Sequence, residues 1–242
     1  MRKIIQWIAL ACFTTLLAAC GGGGGGGGTA SNAVASTEIF QLKAAWVNYY
    51  TDAGSHSFTV SGSSSGYAYS GSGSLTTAGP LYGDPFYGQC PGTLCFYAST
   101  SINATITVAG KPTSIWGSGT LYADSNYNPV GSANSVEYVL VQGTANIPVT
   151  GKVGDAGVMY TANRYSVSGP SGSQLIGSQT MSYTLLADTA TTALLRVTIV
   201  NRNTSGGTDS TENLTFRITP AGALTWLTDN TSNATTTANM SF

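Results

Sequence analysis

One stretch of the sequence matches the motif that surrounds the nucleophilic serine of many hydrolases. Gly62-Ser63-Ser64-Ser65-Gly66 matches the GxSxG pattern, and Asp52 and His56 precede it. In such enzymes the serine lies on a strained turn between a strand and a helix, and a histidine oriented by a carboxylate accepts its proton. Apparent strands flank Ser64 on both sides, and serine-rich sequence produces this spelling by chance. We therefore expect Ser64 to be structural and His56, the single histidine, to lie at a strand edge.

A second stretch resembles the first half of a calcium loop. Side-chain oxygens of Asp124, Asn126 and Asn128 stand at alternate positions, where they can converge on one ion. The second half departs from the pattern, because Pro129 replaces the sharp-turn glycine and Ser135 replaces the bidentate glutamate. Asx side chains that bond their own backbone explain the segment as a turn. Calcium at these three residues stays an alternative, and we predict no cofactor.

The first 19 residues form an export leader. Arg2 and Lys3 precede an apolar run from Ile4 to Ala19, which is shorter than the roughly 20 residues of a membrane span. Leu17-Ala18-Ala19-Cys20 resembles the lipobox of bacterial lipoproteins, whose cysteine carries a diacylglycerol on sulfur and an acyl chain such as palmitate on nitrogen. Because two or more chains anchor stably, lipidated Cys20 implies permanent membrane attachment. A plain secretory signal with an incidental cysteine is the alternative.

A flexible tether follows the lipobox. Residues 20–35 hold Cys20, eight consecutive glycines and a short polar segment, and glycine loses more backbone entropy on ordering than any other residue. A chain of this composition spans on the order of 20 Å. Gly21 follows the cysteine in place of the aspartate that retains many lipoproteins in the inner membrane. The resemblance thus implies the outer membrane, on its periplasmic or its surface face.

Cys90 and Cys95 are the cysteines that remain after the leader and the lipobox. An exported chain meets an oxidising compartment, so the pair predicts a small-loop disulfide with Pro91-Gly92 at its turn. A redox or metal pair is the rival interpretation. The spacing is neither the CxxC of oxidoreductases nor half of a zinc site, and no histidine is near.

Charge is sparse in this protein. Charged residues make up 8% of the chain, with nine basic side chains, two of them in the leader, against ten acidic ones. Nucleic-acid binding depends on clustered Lys and Arg, so this balance argues against it. The 13 tyrosines fit two interpretations: they fill strands and wet edges, or they line a face that binds a sugar or a partner.

Residues 36–242 are predicted to form a single all-β domain with one short N-terminal helix. Ser36 is placed to cap a helix that runs to Tyr50, because Ile39, Leu42 and Trp46 recur at helical spacing. After a loop from Ala78 to Thr93, short alternating strands separated by turn residues continue to the end of the chain. Such a meander predicts an antiparallel sandwich or an open, barrel-like sheet.

Several segments together resemble a group of uncharacterised proteobacterial outer-membrane lipoproteins with a poly-glycine tether after the lipobox. The resemblance runs from the leader to about Leu227 and is most specific around Asp124. Its segments are Tyr122-x-Asp124-Ser125-Asn126-Tyr127-Asn128-Pro129, Val153-Gly154-Asp155-x-Gly157 and Ala187-Asp188-Thr189-Ala190. The group implies no established activity, so no functional residue is carried over.

These observations predict a lipid-anchored outer-membrane protein without catalytic function, which serves in envelope structure or binds a protein or glycan partner at the membrane. The alternative is an envelope hydrolase that acts on glycan or ester. A cleft with two or more carboxylates would favour the enzyme, whereas clustered Tyr and Trp on a sheet face would favour binding.

Overall fold

The computed structural model describes residues 33–84, 86, 90, 94–167 and 174–242. The leader, Cys20 and the glycine tether lie outside these residues. The described chain contains one helix and twelve strands, which are α1 (Leu42–Thr51), β1 (Gly54–Ser64), β2 (Tyr67–Asp84), β3 (Cys95–Val108), β4 (Lys111–Ala123), β5 (Pro129–Asn134), β6 (Glu137–Val141), β7 (Ala156–Ser166), β8 (Leu175–Ala187), β9 (Ala193–Asn203), β10 (Thr208–Ile218), β11 (Leu224–Asn233) and β12 (Thr236–Ser241).

The strands form a closed antiparallel barrel. Each strand pairs with the next one in the chain, and β1 pairs with β12, with Val60 opposite Met240. Closure satisfies the backbone groups that an open sheet would leave along its two edges. The prediction of an all-β, barrel-like meander with one short helix is confirmed.

Side chains alternate between the interior and the exterior of the wall. In β9, Leu195, Val197 and Ile199 are buried, whereas the intervening Arg196 is exposed. The outer face of β1 to β4 is covered largely by hydroxyl side chains, many of them paired across strands, as are Ser57 with Ser74 and Ser101 with Ser118. The period of two in the sequence thus separates an apolar interior from a hydroxyl-rich outer wall.

Two large apolar clusters fill the interior. One surrounds α1 and includes Trp46, Leu185 and Phe216. The other lies between β1, β2, β3, β4 and β12 and includes Phe58 and Ile106. Trp226 packs against both clusters and therefore joins them.

The helix lies across one mouth of the barrel and is held there by loops. Trp46 Nε1 donates to the carbonyl of Tyr127 at 2.8 Å, and Asn48 Nδ2 donates to the carbonyl of Gly222 at 2.9 Å. Gly222 has a φ of +86°, and a Cβ there would approach Gln41 O at 2.7 Å and Ala45 N at 2.9 Å. Glycine is therefore required both by the turn and by the close approach of the helix.

The helix begins later than its apolar spacing predicts. Its first residue is Leu42, and Gln41 provides no side-chain cap. The predicted cap at Ser36 is wrong, because its hydroxyl donates to the carbonyl of Ala190 at 2.9 Å and accepts from Glu38 N–H at 3.2 Å. Ile39 lies before the helix with 62% of its surface exposed. Contacts with the β8–β9 turn hold this segment extended.

The strands are longer and more numerous than the sequence indicates. β2 continues to Asp84, through the segment from Ala78 that the turn residues predicted as a loop. β7 and β12 are absent from the sequence prediction, because their mixed polar residues alternate weakly. Among the described residues, no helix is long and apolar enough to cross a membrane.

The predicted disulfide is confirmed. Cys90 and Cys95 are bonded, with their Cα atoms 5.4 Å apart. Both are buried with Phe86 and Tyr122, whose rings stack with centroids 3.8 Å apart. The disulfide thus holds Cys90 at the start of β3, beside Tyr122 of β4. The predicted Pro91-Gly92 turn lies outside the described residues.

Candidate functional site

A groove of about 580 Å³ opens at the mouth of the barrel, between the end of the helix and the wall. The C-terminal part of α1, the start of β1, the start of β11 and the C-terminal Phe242 form its walls. The groove is lined by Asn48, Tyr49, Thr51, Asp52, His56, Ser57, Ala223, Leu224, Thr225, Trp226 and Phe242. Its volume lies within the range of small-ligand sites, which is roughly 300–1,000 Å³.

Asp52 is the centre of the polar contacts in this groove. Its Oδ2 lies 2.9 Å from His56 Nε2, and Trp226 Nε1 donates to the same oxygen at 3.2 Å. Asp52 follows the last residue of α1, and His56 lies four residues further, on β1, so the short connection between helix and strand brings the two together. The Asp52 side chain is 32% exposed, so a ligand can reach it, whereas His56 Nε2 is buried although 25% of its side chain is exposed.

Aromatic rings form the other wall. The Trp226 ring lies 5.1 Å from Phe242, 5.7 Å from His56 and 5.7 Å from Tyr49, measured between centroids. On its inner side Trp226 contacts Phe216 at 4.7 Å. Aromatic packing therefore fixes the indole, and with it the N–H that points at Asp52.

Ser64 is far from this histidine and carboxylate. It is buried at the opposite end of β1, eight residues or about 26 Å along the strand from His56. Its hydroxyl lies 3.1 Å from that of Thr236. A strand position bonded to a neighbouring strand provides neither the turn nor the exposed hydroxyl of a nucleophile. The structure thus brings Asp52 and His56 together and leaves Ser64 out.

The Asp124 segment is a loop whose oxygens bond its own backbone. Asp124 Oδ1 accepts from the N–H groups of Asn126 and Asn128, both at 2.8 Å, and Asp124 Oδ2 accepts from Asn128 Nδ2 at 2.9 Å. Lys43 Nζ donates to Asn128 Oδ1 at 2.7 Å. Burial lowers the pKa of Lys43, and the charge of Asp124 opposes this shift. The loop presents the Tyr127 carbonyl to Trp46 and thereby helps to seat the helix.

A ladder of polar side chains crosses the inner wall. Tyr160 donates to Gln179 at 3.0 Å, Gln179 donates to Asn201 at 3.0 Å, and Asn201 donates to Ser210 at 3.4 Å. These bonds connect β7 to β10 through the interior. Buried polar groups in an apolar barrel need such partners.

Two buried acids, Glu212 and Asp229, lie beyond Ser210, the last residue of this ladder. Neither has a basic partner among the described residues. Glu212 on β10 lies opposite Thr231 on β11, and Asp229 is two residues away on the same face. All three are buried, and no other side chain of the described residues donates to Glu212 or to Asp229 Oδ1, so the two carboxyl groups have each other as polar neighbours and a proton on one can bond the other. Burial raises the pKa of Asp229 to about 8. Burial, with Asp229 nearby, raises the pKa of Glu212 well above its ordinary value.

A third polar group is a buried arginine that is paired through both of its terminal nitrogens, whereas its Nε has no partner among the described residues. Arg164 on β7 is 5% exposed, and it donates to Glu137 Oε2 at 2.8 Å and to Asp209 Oδ2 at 2.9 Å. Its NH1 group also reaches the carbonyl of Arg202 at 3.4 Å. The guanidinium thus links β6, β7, β9 and β10. Because it is buried and bonded to three neighbouring strands, we assign it a structural role.

The sequence indicates two of the eleven groove-lining residues as candidates for chemistry, Asp52 and His56, although as partners of Ser64. Trp226 and Phe242 were missed, because 174 residues separate Trp226 from Asp52 and no local pattern connects them. Asp124, of the predicted calcium loop, and Glu137, which pairs with Arg164, do not line the groove.

The fold and the groove define the class of protein as a closed antiparallel β-barrel with a helix across its mouth. Comparisons of the chain with protein-family models, with curated proteins and with solved structures find no match. Its function must therefore be inferred from its own residues.

Proposed function

We propose that this chain is a lipid-anchored outer-membrane protein that binds a ligand in the groove at the barrel mouth. The groove is the observation that carries the proposal, because it combines a fixed carboxylate, a histidine and aromatic rings in an accessible space of about 580 Å³. Asp52 is its single lining carboxylate among the described residues. Glycosidases act with a pair of carboxylates, so this composition favours binding over glycan hydrolysis.

The surface supports a barrel that works in water at the end of its tether. Membrane-spanning barrels present an apolar band outward. Here the outward residues of β1 to β4 are mostly serine and threonine, for example Ser72, Thr105 and Ser118. Lipidated Cys20 would hold such a domain close to one leaflet and leave it free to turn.

Membrane fractionation of Cys20→Ser tests the anchor. The wild-type chain is expected to sediment with membranes and to be released by detergent, whereas Cys20→Ser is expected in the soluble fraction, because it loses its acyl chains. Cys90→Ser/Cys95→Ser is the matched control and should remain with the membrane. Sedimentation of Cys20→Ser with membranes would remove the anchor from the proposal.

Photo-cross-linking in intact cells tests the groove. A photoreactive amino acid at Thr225, on the groove rim, is expected to form an adduct in the envelope. The same amino acid at Ser72, an exposed position on the outer wall, is the control. Equal labelling from both positions, or none from Thr225, would contradict binding in the groove.

An envelope hydrolase is the second candidate, and the 2.9 Å contact between Asp52 and His56 is the observation that favours it. A carboxylate that orients a histidine is part of many hydrolytic sites. Ester or glycan cleavage by the purified protein that His56→Gln abolishes would support this candidate. A binding protein is expected to show no such turnover.

A further inference from the structure

We propose that the groove binds a neutral oligosaccharide, an inference that rests on the proposed function. The first argument is the absence of basic side chains among the groove-lining residues that the structure describes. Lys43 is bonded to Asn128, Arg164 to Glu137 and Asp209, and Arg217 to Asp188. A phosphate, sulfate or carboxylate is recognised by such cations or by converging N–H groups. An anionic ligand would meet Asp52 instead.

The second argument is that a cationic ligand fits the groove less well than a neutral one. One oxygen of Asp52 accepts a hydrogen bond from Trp226 Nε1 at 3.2 Å, and His56 Nε2 lies 2.9 Å from the same oxygen without the geometry of a hydrogen bond. The indole N–H disperses part of the charge of the carboxylate, and the imidazole occupies space that an ammonium ligand would need beside this oxygen. Asp52 Oδ1 has no partner among the described residues, and it can accept a hydrogen bond from a hydroxyl.

The third argument is the chemistry of the rim. Asn48 uses its amide N–H on the Gly222 carbonyl, which leaves its oxygen as an acceptor. Thr51 and Thr225 are exposed; the Thr51 hydroxyl donates to the Val47 carbonyl and can still accept, and the Thr225 hydroxyl can both donate and accept. A polyol presents the same mixture of donors and acceptors, so it can satisfy this rim without any charge.

The aromatic wall provides the remaining contact. Sugar rings have an apolar face of C–H groups, and Trp226 and Phe242 offer apolar surface beside the polar rim. The preformed rings cost little conformational entropy on binding, because packing against Phe216 and Tyr49 already fixes Trp226. Sites that combine apolar walls with a few convergent polar groups suit small ligands.

The test measures binding to the full lipidated protein in a detergent without a sugar headgroup. Cellotetraose, maltotetraose and an N-acetylglucosamine tetramer are titrated separately, and binding is followed by calorimetry and tryptophan fluorescence. We expect saturable binding of at least one of these probes. Thr51→Arg should weaken that binding by roughly tenfold or more, because it places a long cation on the exposed end of α1 that lines the groove. Asp52→Asn should also weaken it.

Ser61→Arg is the control for Thr51→Arg. Ser61 is exposed on the outer face of β1 and is not among the residues that line the groove, so the substitution adds the same cation away from it. Ser61→Arg should therefore bind the sugar as the wild type does. Circular dichroism and thermal unfolding check that each variant is folded.

Titrations with choline, a cation, and with inorganic phosphate, an anion, distinguish failure of the oligosaccharide inference from failure of the proposed function. Binding of choline or phosphate that Thr51→Arg abolishes, without binding of any sugar, would retain the groove and overturn the oligosaccharide. Sugar binding that is equal in both arginine variants would overturn the groove as its site. No binding of any probe, together with no adduct from Thr225 in cells, would overturn both proposals.

Discussion

Glu212 and Asp229 bring two acids into an interior where the structure provides no described basic partner for them. An isolated carboxylate in such surroundings is costly, and the group keeps its proton instead. The pKa of Asp229 therefore rises to about 8, and that of Glu212 rises well above its ordinary value. The pair makes the stability of the barrel depend on pH.

The free energy of unfolding should decrease as the pH rises from 5 to 8. In the unfolded chain both acids ionise near pH 4, whereas in the folded barrel Asp229 holds its proton up to about pH 8. The folded state thus binds more protons in this window, and the stability that is complete below pH 4 is lost as the pH rises, by about 1 kcal/mol or more per pH unit. Urea denaturation at several pH values measures it.

Asp229→Asn tests whether Asp229 causes this decrease of the free energy of unfolding with pH. The amide has the same size and no charge, so the variant should show a flatter dependence and greater stability than the wild type at pH 8. Glu38→Gln, at an exposed position before the helix, is the control and should keep the wild-type slope. An unchanged slope in Asp229→Asn would place the pH dependence elsewhere.

Arg164→Met should destabilise the barrel by about 3–5 kcal/mol, because the substitution leaves Glu137 buried without its partner. The double variant Arg164→Met/Glu137→Gln should recover much of this loss. Arg217 is the comparison, since its side chain is 45% exposed in its pair with Asp188, and Arg217→Met should cost less than about 1 kcal/mol. Chemical denaturation of the four proteins separates a buried pair from a surface one.

At the scale of elements, glycine permits neighbouring strands to approach closely inside the barrel. A Cβ at Gly73 on β2 would meet the carbonyl of Asn103 and lie 2.6 Å from Ala104 Cβ on β3. Gly73→Ala should therefore lower the free energy of unfolding by about 1–3 kcal/mol. Gly54→Ala, where no atom lies within 4 Å of the added Cβ, should have little effect. Equal thermal stability of the two variants would refute this explanation.

The sequence predicts those elements whose apolar period is strong. The central strand β9 and the alternation in β10 follow directly from their buried faces. The start of α1 could not be predicted, because contacts of Ser36 with the β8–β9 turn override helical spacing. Closure and the groove depend on pairings between the two ends of the chain, such as β1 with β12, and local patterns carry no information about them.

At the scale of the whole molecule, closure makes distant segments depend on one another. β1 and β12 pair along six residues, and Phe242 at the C-terminus completes the groove that begins at α1. The groove thus requires residues from both ends of the described barrel.

The described barrel should unfold in a single cooperative transition. Its two apolar clusters belong to one closed sheet, and Trp226 packs against both, so loss of either cluster exposes the indole and opens the wall of the other. Thermal unfolding followed by near-ultraviolet and far-ultraviolet circular dichroism should give coincident midpoints. Two separate midpoints would instead mean that the clusters behave as independent units, and the predicted single domain at residues 36–242 would have to be divided.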